Sequence, residues 1–362
     1  MVRLDRPLQL EPVFKAKIWG RQDLSPLYDR ARIMVVPDAS TSALASPAAP
    51  VGEAWLTDDA AKFVNAPLAG MTLAAAVAQY GPELVGKNWQ GSRFPLLAKY
   101  IFTSDWLSVQ VHPDDDYARV HNPGSLGKCE MWYVARADAQ AGILLGSKPG
   151  VAKESLRPAF EKGTSRELLN LLRPHAGDAI LIPPGTLHAM GPGLIMFEVE
   201  QNSDLTYRLD DFGRIGLDGK PRPLHLDKRL DVIRVDLPLY YDLPCFEFRE
   251  PYGARRFVLA SRYFALEELT TEAPASLSAS PERVEVLTML AGAGTLEAAG
   301  DRLPCRAGGA WIIPPATGVY RCVPHGKARW LRFYVPDLEV DFRQPLVQRG
   351  LSSADIGKIV FD

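Results

Sequence analysis

The residues best suited to chemistry sit in three short, separate stretches. Residues 107–112 read LSVQVH. On a β-strand alternate side chains share a face, so Ser108, Gln110 and His112 point one way and Leu107, Val109 and Val111 the other. Inside a closed barrel that polar face converges on the interior; on an open surface it is solvated. Glu130 opens an aromatic strand, EMWYV, and His188 follows the turn PPGT. Two imidazoles, a carboxylate and an amide oxygen suit a borderline divalent cation, Zn2+ first, with manganese, iron(II) or cobalt as other occupants. No cysteine belongs to the set, which argues against a closed structural zinc site. The residues come from three strands, so spacing leaves open whether they meet.

Charged side chains in unusual settings are the next candidates. In residues 205–210, Thr206, Arg208 and Asp210 alternate with Leu205, Tyr207 and Leu209. A guanidinium on such a face can enter a pocket and stabilise an anion, or pair at the surface with Asp210 or Asp211. Lys99 interrupts the apolar run FPLLAKYIF. A lysine there either snorkels to solvent or points into a polar cavity. Lys128 follows Gly127 in an apparent loop. His121, His175, His225 and His325 have no partners legible in the sequence and receive no role.

The elements that must position these residues read as mainly β, because short apolar runs broken by Gly, Pro and Asp dominate. Two stretches have helical spacing: residues 72–85, divided by Gly81 and Pro82, and residues 153–172, where Leu168, Leu169, Leu171 and Leu172 form an expected buried stripe. Residues 37–50, rich in Ala, Ser and Pro, read as a surface loop. The chain has 362 residues, enough for about two or three domains. Its 41 Lys and Arg balance 43 Asp and Glu, so nothing in the charge points to nucleic acid or an acidic membrane as partner. The four scattered cysteines read as free thiols in a reducing compartment. With no signal-like start and no apolar span, the expected location is cytoplasmic.

One internal repeat organises the chain. Residues 175–189 read HAGDAILIPPGTLHA, and residues 306–320 read RAGGAWIIPPATGVY. A Gly turn, an apolar strand, a Pro-Pro corner and a Thr recur, a unit common in cupin barrels. The expected architecture is two cupin (jelly-roll β-barrel) domains with helical insertions. A metal-binding catalytic domain spans 1–240 and a metal-free one 241–362. The second copy has Val319 where the first has His188.

Together the segments resemble the type I phosphomannose isomerases, in their shorter bacterial form. The resemblance rests on EPVFKAKIWG (11–20), VGEAW (51–55), FPLLAKYIFTSDWLSVQVHPDDDYA (94–118), GKCEMWYV (127–134), PPGTLHAMGPG (183–193) and QNSDLTYRLDDFGR (201–214). It covers most of the first 215 residues in order; Ala54 and the 37–50 loop depart from the pattern. The family interconverts mannose 6-phosphate and fructose 6-phosphate with zinc. The resemblance implies His112, Glu130 and His188 as metal ligands, with Gln110 as a fourth, and Arg208 as the catalytic arginine. It places Lys99, Lys128 and Ser108 among contacts to the sugar phosphate, and leaves the proton-transfer base among Glu198, Glu200, Lys99 and Lys128. The competing expectation is an inactive sugar-phosphate-binding cupin that acts as a sensor.

Overall fold

The computed structural model describes residues 2–36, 49–226 and 230–362, so most of the 37–50 loop lies outside the described residues. The chain is mainly β, and strand alternation decides what each sheet face carries. Strand Leu96–Phe102 is buried at every position. Leu96, Ala98, Tyr100 and Phe102 join one apolar cluster. Ile101 joins another on the opposite face, the face that Lys99 shares. A lysine can therefore interrupt an apolar run without disturbing the packing behind it.

Among the described residues this strand lies in a seven-stranded sheet. The spatial order is Ala179–Ile182, Glu130–Ala137, Leu194–Gln201, Leu96–Phe102, Val51–Trp55, Val13–Arg21 and Val35–Val36. Facing it is a five-stranded sheet: Tyr207–Asp210, Val109–Val111, His188–Met190, Ile143–Ser147 and Leu169–Leu172. Ile143, Leu145 and Met190 from this sheet pack with Ile101, Trp132 and Val134 from the other. The polar residues at one end of this sandwich form the candidate site.

The second half repeats the plan. Ala310–Ile313, Glu285–Ala291, Ala328–Tyr334, Ala265–Thr271 and Gly253–Ser261 follow one another in the same spatial order as the first five strands above. Register repeats too. Glu130 pairs with Ile182 and Glu285 with Ile313; Glu198 pairs with Lys99 and Arg332 with Glu267. The two large sheets stand back to back. Phe197 and Phe333 pack with centroids 5.3 Å apart, and the Tyr100 hydroxyl lies 3.1 Å from that of Thr288. Leu8–Leu10 pairs with Ala310–Ile313, so the start of the chain is stitched to the second half. Val319, aligned in sequence with His188, is 64% exposed. The residue that turns inward is its neighbour Tyr320, whose hydroxyl donates to Glu285 Oε2 at 3.3 Å.

The helices fall partly where the sequence places them. Leu73–Val85 is capped by the Thr72 side chain, and it kinks at Tyr80, just before Gly81 and Pro82. The second expected helix is shorter than its apolar spacing suggests. Lys153–Lys162 stops at Gly163, which takes a left-handed conformation at φ 69°. Leu169–Leu172 is a strand, with Leu169 buried and Leu171 exposed. The leucine stripe thus belongs to a sheet edge. An unforeseen helix, Asp115–His121, begins right after the QVHP segment and is capped by Asp114. All four cysteines are free. Among the described residues no helix is long and apolar enough to cross a membrane.

Candidate metal centre and its pocket

Three buried side chains converge at the end of the first sandwich. His112 Nε2 lies 3.4 Å from Glu130 Oε2, and His188 Nε2 lies 3.4 Å from Glu130 Oε1. One ligand atom from each can be chosen so that all three lie within 4.8 Å of one another. Each residue is delivered by a different device. His112 directly follows strand Val109–Val111. Glu130 is the first residue of its strand, on the inward face with Trp132 and Val134. His188 opens a strand after a tight turn in which Gly185 has φ 91°. A side chain on Gly185 would be strained by that φ and would press on the Val232 carbonyl.

The hydrogen bonds around the imidazoles fix which nitrogen faces inward. His112 Nδ1 lies 3.0 Å from the Leu205 carbonyl and His188 Nδ1 2.9 Å from the Thr186 carbonyl. A carbonyl accepts, so each Nδ1 carries the proton and each Nε2 presents a lone pair. Both Nε2 atoms and Glu130 Oε1 are buried without a hydrogen-bond partner among the described residues. Burial keeps the imidazoles neutral, pushing His188 down to about 4 and lowering His112 as well. Burial works against ionised Glu130, yet Lys128 foremost holds it well below the usual carboxylate range. Neutral imidazoles and an ionised carboxylate are the states that bind a cation. Tetrahedral ligands at about 2.1 Å from a centre stand about 3.4 Å apart, which is the separation of each imidazole from its nearer Glu130 oxygen. The three donors therefore suit a divalent ion in type and lie close enough to share one.

Behind the three donors runs a ladder of alternating lysines and carboxyl groups. Lys128 Nζ lies 3.0 Å from Glu130 Oε2 and 2.7 Å from Glu200 Oε2. Lys99 Nζ lies 2.9 Å from Glu200 Oε1, 3.0 Å from Glu198 Oε1 and 3.7 Å from Asp204. Burial alone would lower both lysines, but the carboxylates outweigh it and keep them charged. Glu198 is fixed from its other side by Trp132, whose Nε1 donates to Oε2 at 2.8 Å.

A cavity of about 280 Å3 opens beside this ladder. Ser108, Gln110, Lys99, Lys128 and Arg208 all line it, so the structure gathers every sequence-selected residue at one place, either in the donor cluster or on this wall. Gln110 is half-buried and is the register partner of His188 on one side and Arg208 on the other. Arg208 is held by its backbone: its N–H donates to His225 Nδ1 at 3.0 Å, and its carbonyl accepts from His225 N–H at 2.8 Å. His225, to which the sequence assigns no role, thus positions a pocket residue. The sequence reading also passed over Asp204, Lys17 and Glu53, which line the pocket too. Lys15 and Lys17 alternate with apolar residues in VFKAKIWG, a signal of one polar strand face that was available.

Comparison with known proteins is consistent across sequence and structure. The phosphomannose isomerase type I catalytic domain profile matches residues 8–135. The chain is 34% identical over 322 residues to the probable mannose-6-phosphate isomerase GmuF of Bacillus subtilis, covering 88% of this chain and 96% of that protein. Among solved structures, the mannose 6-phosphate isomerase from Bacillus subtilis superposes with a TM-score of 0.79 at 28% identity, covering 91% of this chain and 99% of that one. A zinc-bound mannose 6-phosphate isomerase shares the fold with a TM-score of 0.68 at 14% identity, over 91% and 99% of the two chains.

Proposed function

The chain belongs to the type I phosphomannose isomerase family, and from that premise we propose that it interconverts mannose 6-phosphate and fructose 6-phosphate. The observation that carries this reading is the convergence of His112, Glu130 and His188 beside a pocket bordered by Lys99, Lys128 and Arg208. In this reading each half is a cupin-type jelly-roll barrel and only the first, within residues 1–240, is catalytic. Zinc is the proposed ion, held by His112, Glu130, His188 and Gln110, and it would polarise the oxygens on sugar carbons 1 and 2.

The remaining chemistry falls to the chain's own side chains. The reaction moves one proton between carbons 1 and 2 through an enediolate, which concentrates negative charge on oxygen. Arg208, permanently protonated, stabilises that charge from the pocket wall. Glu198 borders the pocket with its carboxylate oriented by Lys99 and Trp132. It is the candidate to take the proton from one carbon and return it to the other. Lys99, Lys128 and Ser108 meet the sugar hydroxyls. Lys17, paired with Glu53 at 3.3 Å, and Arg222, paired with Asp211, also line the pocket and are the cations proposed to meet the phosphate. Binding of that remote group fixes register and orientation at the reacting carbons.

The test is a coupled assay of purified protein with mannose 6-phosphate, before and after treatment with a chelator, and again after zinc is restored. Turnover lost to chelator and recovered with zinc supports the isomerase reading. Fully metallated protein that binds the sugar phosphate without turning it over would replace this reading with that of a sensor.

A further inference from the structure

In the second half the place of the metal centre is filled by Tyr320, whose hydroxyl donates to Glu285 Oε2 at 3.3 Å, and open space lies beside it. A cavity of about 770 Å3 lies there, against about 280 Å3 for the catalytic pocket. The repeated registers set its wall. Glu285 stands where Glu130 does, each paired with the last Ile of the neighbouring strand. Arg332 stands where Glu198 does. Ser278 pairs in register with the outward-facing Val319. The N–H of Ser280, two residues on, donates to Glu285 Oε1 at 3.4 Å. Ser278, Ser280, Glu285 and Arg332 all line the cavity, and Asn88 and Trp89 from the first half close another side. No histidine lines this cavity, so its wall cannot hold the first half's ion.

Its donors and acceptors point to a different ligand. Arg332 is only 9% exposed, yet the carboxylate oxygens of Glu285 and Glu267 lie 3.6 and 3.8 Å from its guanidinium. Its Nε makes no hydrogen bond. A buried guanidinium left short of acceptors is costly, and the cavity beside it has room for one. Donors and acceptor meet on the wall: the Glu285 carboxylate is approached by the Ser280 N–H on one oxygen and by the Arg332 guanidinium on the other. A hydroxyl group suits such a wall because it donates and accepts at once. Charge argues against an anion, since Glu282, Glu285, Asp337 and Asp341 outnumber Arg283 and Arg332 around the cavity.

We propose that the second half holds a binding site for an uncharged polyhydroxylated ligand of mono- or disaccharide size, built from Ser278, Ser280, Glu285 and Arg332. The volume lies within the range usual for small-molecule sites.

Titration calorimetry of the metal-loaded full chain with two neutral probes, methyl α-mannopyranoside and maltose, tests this. At least one probe should bind. Binding should persist in His188→Ala, which disables the metal centre, and weaken at least roughly tenfold in Glu285→Gln, where a buried hydrogen-bonding group is altered. Ser280→Leu, which fills the cavity from its rim, should give the same loss. Unchanged isomerase turnover in these two variants certifies that they are folded. Absence of binding by both probes overturns the proposal. So does binding that vanishes in His188→Ala, or that survives unchanged in both cavity variants.

Discussion

Glu130 and Glu200 stand opposite each other on neighbouring strands and share Lys128, whose ammonium lies 3.0 Å from one carboxylate and 2.7 Å from the other. Burial holds the Glu200 carboxyl well above the usual carboxylate range despite Lys128 and Lys99, whereas Lys128 keeps Glu130 well below it. Glu130 is therefore the buried charge that depends on this ammonium. Lys128→Met keeps much of the volume and removes the charge. We expect it to destabilise the chain by about 3–5 kcal/mol, the usual cost of stranding a buried charge, and to depress turnover. Urea denaturation of the variant checks this; a loss below about 1 kcal/mol would show that Glu130 does not depend on Lys128 for its charge.

His188 supplies a lone pair whose direction the Thr186 carbonyl fixes. His188→Ala should lower metal affinity by more than the roughly 10–100-fold typical of losing an outer partner. Activity should fall with it, while the buried Trp311 and Trp330 of the second half keep their packing. Metal content by atomic absorption, alongside the near-ultraviolet dichroism of those indoles, reads both. Full metal occupancy in the variant would remove His188 from the ligand set.

Arg208 is separable from the metal centre. Arg208→Ala should leave metal content unchanged and lower kcat by roughly 10²–10³, the scale of removing one stabiliser of developing charge. An unaltered kcat would take Arg208 out of the mechanism.

Asp211 ties down a segment that lines the pocket. Its carboxylate accepts from Arg214 Nη2 at 2.6 Å and from Arg222 Nε at 2.7 Å, while Ile215 bridges to Pro221. Leu217, between the two arginines, lines the pocket. Asp211→Asn should loosen this clasp and raise KM about tenfold with a smaller change in kcat, because binding rather than bond-making is affected. Steady-state kinetics distinguish this from an equal fall in both kcat and kcat/KM.

Acid stability should depend on Glu267 in the second half. Burial raises its pKa, but Arg332 first and then Arg255 outweigh that and hold it at about 2. The folded value is depressed, so between the unfolded value of 4.5 and about 2 the unfolded chain binds more protons. The contribution is complete above 4.5 and is lost as pH falls through about 2. Melting temperatures across pH 2–6 should fall less steeply in Glu267→Gln than in the parent; parallel curves would contradict the assignment.

Much of the first half's site was legible because strand alternation is local. The period of two put Gln110 and His112 on one face, singled out Arg208, and marked Lys99 as anomalous within an apolar run. The repeated Pro-Pro corner disclosed two similar halves. Alignment failed within that repeat, where Val319 faces outward and Tyr320 faces Glu285. A displacement of one residue reverses a strand's faces, and nothing in the local sequence records it. The leucines at 168–172 misled for a similar reason: an apolar run fits a helix or a strand until a backbone reversal such as Gly163 settles which.

The sequence by itself determined residue types, their local faces and the family pattern, because these depend on chain geometry over a few residues. Only the tertiary structure decided that Glu130 lies between His112 and His188, that Lys128 and Lys99 are spent on Glu200 and Glu198, and that His225 braces Arg208. Those relationships join strands far apart in the chain. Their distances are set by sheet order and register, which emerge from the packing of two whole sheets rather than from any one segment.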